Sequence, residues 1–349
     1  MNIEQETKKY YGETLKKSSD LKTNACCTFE VIPTFIRQKL KNINDNILNT
    51  YYGCGLIVPD CLEKMNILDL GCGSGRDVYL LSQFVGQDGK VIGIDMTDNQ
   101  LKIANDNLDY HMEKFGYQIP NVEFVKGNIE SLQSLNLNIN FDIIISNCVI
   151  NLCKDKKKVL SDVFTLLKSG GEFYFSDVYS SQRIPDYLSQ DPVLWGECLS
   201  GALYWNDFLN MAKQCGFIDP RLVKSNKITI KNKELENKLG NIEFYSATYR
   251  LFKLPNKLEN DCEDYGQAVI YKGTILNNEH YWNLDSHHKI IKNKIFPVCG
   301  NTWNMLNCTR FKDHFEFIGN FDNHYGIFDG CGKGIPFKNN EISINNNCC

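Results

Sequence analysis

The sequence contains no long hydrophobic run. Apolar stretches such as residues 141–146 and 55–58 are far shorter than the roughly 20 residues that a membrane-spanning helix needs. The N-terminal stretch MNIEQETKKYYGETLKK also lacks the apolar segment of a secretory signal. We therefore expect a cytoplasmic protein that has no membrane association.

The chain has no excess of positive charge. Lys and Arg number 38 against 42 Asp and Glu, which gives a net charge of −4. Non-specific nucleic-acid binding needs clustered positive charge, so we expect no nucleic-acid partner. The 42% hydrophobic and 23% charged residues are globular values, and 349 residues suffice for about two domains.

The chain also lacks the CxxC spacing of structural zinc sites, although it holds 15 cysteines. The length, the odd count and the missing secretory signal argue against a disulfide-stapled secreted fold. The cysteines are therefore soft-metal or metalloid ligands, redox residues, or ordinary buried side chains.

From residue 66 the sequence alternates between short apolar strands and amphipathic helices. This pattern predicts an α/β fold with a Rossmann-like, doubly wound sheet buried on both faces. Strands are predicted at 66–71, 91–96, 122–127, 141–147 and 172–179, and helices at 76–86, 98–116, 154–171 and 203–216.

We divide the chain into five parts by these changes in pattern. Stretch 254–266 has the composition of a linker, and the last residues are polar and predicted to be flexible. The parts are an N-terminal thiol-bearing segment (1–65), a cofactor-binding domain (66–180), a following segment (181–255), a smaller α+β C-terminal domain (256–335) and a tail (336–349).

The turn ILDLGCGSGRD follows the first strand and opens a helix. Its three glycines (Gly71, Gly73 and Gly75) permit a close approach to a ligand, but the third comes one residue too early for a dinucleotide fingerprint. Asp69 could accept from an ammonium group, and Asp95, at the end of the second strand, could bind ribose hydroxyls. Asn128, after the third strand, could contact an adenine amino group. Together these features resemble the S-adenosylmethionine (SAM) pocket of Rossmann-like methyltransferases more than a nicotinamide site.

A thiol, Cys148, lies directly after the fourth strand, beside Asn147. Ligands of such sheets bind beyond the carboxyl ends of the strands, so this thiol would face the reactive end of the cofactor. It could be a small buried residue, a covalent nucleophile, or a ligand for a soft acceptor atom. Cys198 lies in a glycine-flanked loop after the fifth strand and could reach the same rim.

Ten stretches together resemble the animal-type arsenite SAM methyltransferases. They occur in order between about residue 20 and residue 255, and the similarity is thinner beyond 260. The stretches are LKTNAC, YYGCGL, ILDLGCGSGRD, GIDMT, LDYHMEKFG, SNCVINL, GGEFYFSDVY, WGECLSGALYW, ITIKNKELE and SATYRLFK.

The resemblance implies four acting cysteines: Cys26, Cys54, Cys148 and Cys198. It also implies that the segment 181–255, which carries Cys198, is the arsenite-binding segment. Cys148 and Cys198 would hold As(III) throughout the cycle, whereas Cys26 and Cys54 would assist binding and form a disulfide during turnover. Cys27 could compete with Cys26. The implied cofactor pocket comprises Asp69, Gly71, Gly73, Gly75, Asp95, Met96, Asn128, Ile129 and Asn147.

The implied reaction is methylation of thiolate-bound arsenite, and then of methylarsenite, in a detoxification process. The arsenic lone pair would attack the sulfonium methyl in line, so no general base is needed. Thioredoxin or glutathione would reduce the disulfide between steps. A monomer is the default expectation. The alternatives are a non-catalytic thiol-based metalloid binder and a methyltransferase for another small-molecule acceptor.

Overall fold

The computed structural model describes residues 32–51, 53–137, 139–188, 191–230 and 232–331. Cys26 and Cys27 lie outside this range, as does the tail predicted at 336–349. Within the described part, no helix combines the length and the hydropathy that crossing a membrane requires.

A mixed central sheet forms the body of the molecule, in the order β3-β2-β1-β4-β5-β8-β7, with β6 paired to β5. Strands β1 to β5 run parallel, as predicted, and β8 pairs antiparallel with both β5 and β7. The strands are β1 Asn66–Leu70, β2 Lys90–Asp95, β3 Val122–Lys126, β4 Phe141–Asn147, β5 Leu167–Ser180, β6 Leu203–Tyr204, β7 Arg221–Lys227 and β8 Phe244–Phe252.

Helices cover both faces of this sheet. Neighbouring residues of β4 point to opposite sides, so that Ile144 packs in one apolar cluster while Ile143 and Ile145 pack in the other. The sheet is thus buried on both faces, which explains its continuous apolar strands. The α-helices of this region are α1 Thr34–Leu40, α2 Asp45–Leu48, α3 Arg76–Val85, α4 Asp98–Asp106, α5 Leu108–Phe115, α6 Lys156–Leu166, α7 Pro192–Gly196, α8 Trp205–Gln214 and α9 Lys233–Leu239.

Two predicted helices were wrong in extent. The helix expected over 98–116 is broken at Asn107, whose amide donates to the Ile103 carbonyl at 2.9 Å and competes with the helical pattern. The helix expected over 154–171 ends at Leu166. Leu167 already has extended backbone angles, and Gly170 and Gly171 lie inside β5 instead of ending the helix.

The segment 181–255 completes the central sheet, because β7 and β8 extend it beyond β5. The chain then enters a smaller α+β unit whose three-stranded sheet has β10 at its centre. Its elements are β9 Glu263–Asp264, β10 Gln267–Tyr271, β11 Tyr281–Asn283, β12 Lys289–Ile291, β13 Ile295–Val298, α10 Gly300–Asn307, β14 Phe315–Ile318 and β15 Gly326–Ile327. The sequence did not predict helix α10.

A buried ion network joins this C-terminal unit to the central sheet. Glu172 of β5 is fully buried and pairs with Arg250 of β8 at 2.8 Å and with Arg310 of the C-terminal unit. The unit therefore packs on the sheet through charged as well as apolar contacts.

Candidate active site

The glycine turn after β1 brings the backbone close to a large cavity. Gly71 has a φ of +75°, and a Cβ there would lie 2.6 Å from the Val149 side chain. Gly75 caps the N-terminus of α3 in the left-handed conformation. Both positions therefore require glycine for conformation and for space, since a Cβ at Gly75 would lie 2.7 Å from the Phe124 ring.

The cavity opens at the carboxyl ends of β1, β2 and β4, and its volume is about 1110 Å³ when the space open to solvent at its mouth is included. This is the point at which the strand order reverses, where ligands of such sheets bind. Gly75 does not line the cavity, and its role is to cap the N-terminus of α3. The predicted cofactor residues that line the cavity are Asp69, Gly71, Gly73, Asp95, Met96, Asn128, Ile129 and Asn147.

Asp95 is held in one orientation by the backbone. One carboxylate oxygen accepts from Gly73 N at 2.9 Å, and the other accepts from Thr97 N at 2.8 Å. Burial raises the pKa of Asp95, and these hydrogen bonds oppose that rise. A carboxylate oxygen has two acceptor sites, so both oxygens can still accept from a diol.

The lining is rich in carboxyl groups. Burial raises the pKa of Asp69 well above its usual range, and the carboxylates of Asp77 and Asp95 raise it further. Arg76 stacks 3.2 Å from the centre of the Tyr51 ring and donates through Nε to Asp77 at 2.9 Å. The surplus of carboxylates suits a cationic ligand.

These features fit SAM, which carries a sulfonium and an ammonium group. Gln100 also lines the cavity, and its side-chain oxygen is buried with no hydrogen-bond partner, which leaves an acceptor for a ligand donor. Asp69 and Asp95 both line the cavity, and their roles toward the ammonium group and the ribose stay predictions. Asn128 lines the cavity, and its side-chain oxygen accepts from Glu130 N at 2.8 Å.

Asn147 connects the cavity to the predicted thiols. Its side-chain oxygen accepts from Cys54 N at 3.0 Å. Its amide nitrogen donates to Tyr51 OH, to the Gly55 carbonyl and to an Asp77 oxygen at 2.6, 2.9 and 3.1 Å. Asn147 therefore fixes the loop that carries Cys54 as well as lining the cavity.

Two of the predicted cysteines are joined in the structure. Cys54 and Cys148 form a disulfide, with Cα atoms 5.7 Å apart. The predicted partner of Cys54 was Cys26, which lies outside the described residues. The structure thus gives Cys54 a different partner, since Cys148 stands directly after β4 and Cys54 is held beside it by Asn147.

Cys198 lies next to this pair. It is buried, and its Sγ contacts the Cys148 carbonyl at 3.4 Å. Cys148 and Cys198 both have left-handed backbone angles, with φ near +60°, which cost a non-glycine residue on the order of 1 kcal/mol. Such strain occurs most often at functional sites.

A carboxyl group that the sequence did not predict completes the cluster. The ligand atoms of Cys54, Cys148 and Asp177 all lie within 4.8 Å of one another. Cys198 is not part of this three-atom group. Burial raises the pKa of Asp177 to about 7, although Val178 N and Asn151 N donate to its oxygens at 2.8 and 3.0 Å.

Sequence reasoning missed several lining residues, and also Asp177, which lies beside Cys54 and Cys148 outside the lining, although signals for them were present. Tyr51 lies in YYGCGL, Arg76 and Asp77 end the glycine turn, and Asp177 lies in GGEFYFSDVY. Each motif was noted for its cysteine, glycine or strand pattern, so these side chains received no role.

Comparisons with known proteins agree with this arrangement. Residues 62–216 match the family described as a methyltransferase domain, and residues 265–331 match the arsenite methyltransferase C-terminal domain. The family resemblance therefore extends into the region where the sequence motifs become thin.

Curated relatives and a solved structure match most of the chain. An arsenite methyltransferase of Aquipseudomonas alcaligenes is 54% identical and covers 97% of this chain and 98% of its own. The rat arsenite methyltransferase is 48% identical, over 90% and 85%. A crystal structure of an arsenic(III) SAM methyltransferase from Chlamydomonas reinhardtii has a TM-score of 0.83 and 44% identity, over 86% of this chain and all of that one. Taken with the SAM-type cavity, these matches establish that the chain belongs to the arsenite methyltransferase family, whose members are SAM-dependent enzymes.

Proposed function

We propose that this protein transfers a methyl group from SAM to trivalent arsenic held by cysteine thiolates. The observation that carries the proposal is the meeting of Cys54, Cys148 and Cys198 at one rim of the cofactor cavity, with Cys148 in its lining. The names of the relatives support the same substrate. The reaction would begin with arsenite and continue with methylarsenite.

Thiolates suit this substrate for two reasons. Sulfur is a soft donor, and soft donors select soft metals and metalloids. The cluster is also dry, since Cys54, Cys148 and Cys198 pack among Val178, Leu194 and other buried apolar side chains. Arsenic held there would keep its lone pair and lose its water. Cys54, Cys148 and Cys198 are thus the proposed As(III) ligands, and Asp177 offers an adjacent oxygen.

SAM, when bound, supplies an electrophilic methyl group. The chain's contribution is then mainly orientation: Asp69 and Asp95 hold the donor, and Cys148 and Cys198 hold the acceptor in line with it. The attacking lone pair carries no proton, so the proposal needs no general base.

Methyl transfer formally oxidises arsenic by two electrons, and the next transfer needs them back. In our proposal, the sulfurs of Cys54 and Cys148 leave arsenic and bond to each other, so both As–S bonds break and an electron pair returns to arsenic. Arsenic then keeps its methyl group and Cys198, and a water molecule supplies a hydroxyl as the third substituent and releases a proton. An external thiol, thioredoxin or glutathione, then reduces this disulfide. The role of Cys26 stays a prediction. We place this cycle in the cytosol, because the cytosol keeps thiols reduced, and a monomer stays the default expectation.

Product speciation tests the proposal. Purified protein is incubated with arsenite, SAM and a thiol reductant, and arsenic species are separated and measured by elemental mass detection. We expect methylarsenicals from the wild type and from the control Cys215→Ser, a half-buried thiol of α8's C-terminus. We expect none from Cys148→Ser or Cys198→Ser. If the wild type binds SAM and arsenite but the arsenite stays unmethylated, the proposed reaction is wrong and the protein is a metalloid-binding protein instead.

A further inference from the structure

Two thiols outside the active site face each other in the C-terminal unit. Cys299 is 2% exposed and caps α10, where its sulfur accepts from Thr302 N at 3.5 Å. Cys262, half-buried just before β9, hydrogen-bonds to Cys299. The two thiols come from separate segments and form a dithiol with one accessible member.

The surroundings favour a thiolate at Cys299. The hydrogen bond from Cys262 and the Arg221 guanidinium, 4.0 Å away, lower the pKa of the Cys299 thiol against the opposing effect of burial. The same hydrogen bond and burial raise the pKa of Cys262. Arg221 is itself held by Asp219 at 2.6 Å and by Asp285 at 3.2 Å. The dithiol is therefore a preformed pair of one proton donor and one activated sulfur.

This dithiol does not belong to the active site. Arg221 lies in β7, the outermost strand, and none of the residues around the dithiol lines the cofactor cavity. Four strand spacings separate β7 from β1, which is on the order of 20 Å. The proposed methyl transfer gives these thiols no role.

The number of ligands decides which kind of ion suits the pair. A structural zinc ion needs four ligands, and in the described part of the chain no third Cys, His or carboxylate joins this pair in a three-ligand group. A trivalent arsenical can be held by two sulfurs and keep its third substituent. The arsenical would reach the site at the half-buried Cys262, and the burial of Cys299 would shield the As–S bond to that residue from water.

We propose that Cys262 and Cys299 form a second binding site for trivalent arsenicals, separate from the active site. With arsenite, each As–S bond replaces one As–OH bond. Each departing hydroxyl leaves as water, with the thiol proton of Cys262 in one case and a proton from solvent opposite the Cys299 thiolate in the other. Two water molecules are released, and no electrons are transferred. The proposal goes beyond methyl transfer, because it needs only thiol exchange.

Arsenic stoichiometry tests the site. The reduced full-length chain is dialysed against arsenite, and bound arsenic per chain is measured. Cys262→Ser and Cys299→Ser should each bind one arsenic fewer than the wild type, whereas Cys308→Ser, which removes another half-buried thiol of the same unit, should bind the same number. Unchanged stoichiometry in the first two variants would overturn the proposal.

A second measurement needs no substitution and so avoids any folding defect. In the folded wild type, arsenite should slow alkylation of Cys262 by roughly tenfold or more while leaving Cys308 unaffected, since a bound sulfur is no longer a nucleophile. Equal alkylation rates with and without arsenite contradict the site. Cys148→Ser should lose methylation yet retain this protection, so failure of the second site and failure of the proposed function are distinguishable.

Discussion

At the scale of single residues, Asp95 illustrates how a charged side chain and the backbone define the ligand. Its oxygens accept from Gly73 N and Thr97 N, and an amide in its place would turn a donor toward one of these donors. We predict that Asp95→Asn weakens SAM binding by roughly tenfold to a hundredfold, from the loss of about 1.5–3 kcal/mol. Isothermal titration calorimetry measures this change.

Asp98→Asn is the matched control, because Asp98 is an exposed aspartate three positions away that pairs only with Lys126 in the described contacts. Its affinity for SAM should equal that of the wild type. An equal loss of SAM affinity in the two variants would contradict a specific role of Asp95 in binding SAM.

Gly71 gives a second residue-level prediction, which separates a steric clash from backbone strain. Gly71 and Gly116 share a φ of +75°, but a Cβ at Gly71 would meet Val149 at 2.6 Å, whereas a Cβ at Gly116 would meet nothing within 4 Å. Gly71→Ala should therefore abolish measurable SAM binding. Gly116→Ala should cost on the order of 1 kcal/mol of stability and leave SAM affinity intact.

Calorimetry and urea unfolding of both variants check this comparison. Retained SAM binding in Gly71→Ala would show that Val149 can move aside. Such a result would contradict the close packing inferred for the turn.

At the scale of elements, the sequence predicted the order and type of the first five strands and the helices between them. Their apolar periodicity is local and follows directly from burial on both faces. The break at Asn107 and the early start of β5 depend on one side-chain hydrogen bond and on pairing with β4 and β8. Such contacts are not encoded in a local hydrophobic pattern, so the element boundaries were less accurate.

Helix α5 carries a histidine whose protonation should limit stability in acid. His111 is fully buried, stacks on Tyr79, and accepts from Asn44 N through Nε2 at 3.2 Å. Burial lowers its pKa from 6.5 to about 4. The unfolded chain therefore binds more protons between these values, and stability is lost as the pH falls from 6.5 toward 4.

We predict that the titration of His111 lowers the free energy of unfolding of the wild type by about 2 kcal/mol as the pH falls from about 7.5 to about 5. The variant His111→Gln lacks the titration, so its stability should change by that much less over the same interval. Urea unfolding of both proteins at the two pH values measures the difference. Parallel pH dependences would mean that His111 is not buried in the neutral form.

At the scale of the whole molecule, Glu172 holds the C-terminal unit to the central sheet through two arginines. Removing its charge leaves Arg250, which is 2% exposed, without its ion partner. We predict that Glu172→Gln destabilises the protein by roughly 3–5 kcal/mol. Glu123→Gln breaks an exposed pair with Lys90 and should cost less than about 1 kcal/mol. Urea midpoints measure both, and similar shifts would contradict a structural role for the network.

The site could be predicted from sequence only in part, because some of its contacts depend on how distant segments pack in the whole molecule. Asp69, Asp95 and Cys148 stand at strand ends, and the fold class alone brings strand ends together. Tyr51, Asp177 and the Cys54–Cys148 pair depend on how the N-terminal loop packs over the sheet. That packing joins residues far apart in the chain, so no local pattern could have revealed it.

A single-turnover experiment tests the central claim most directly. Reduced protein is loaded with arsenite, freed of excess reductant and mixed with SAM carrying an isotopic label on its methyl group. The account predicts that the label appears on arsenic in the wild type and not in Cys148→Ser. It also predicts that a disulfide between Cys54 and Cys148 forms in the same turnover. Label on a cysteine sulfur, or label on arsenic in Cys148→Ser at the wild-type rate, would contradict the account.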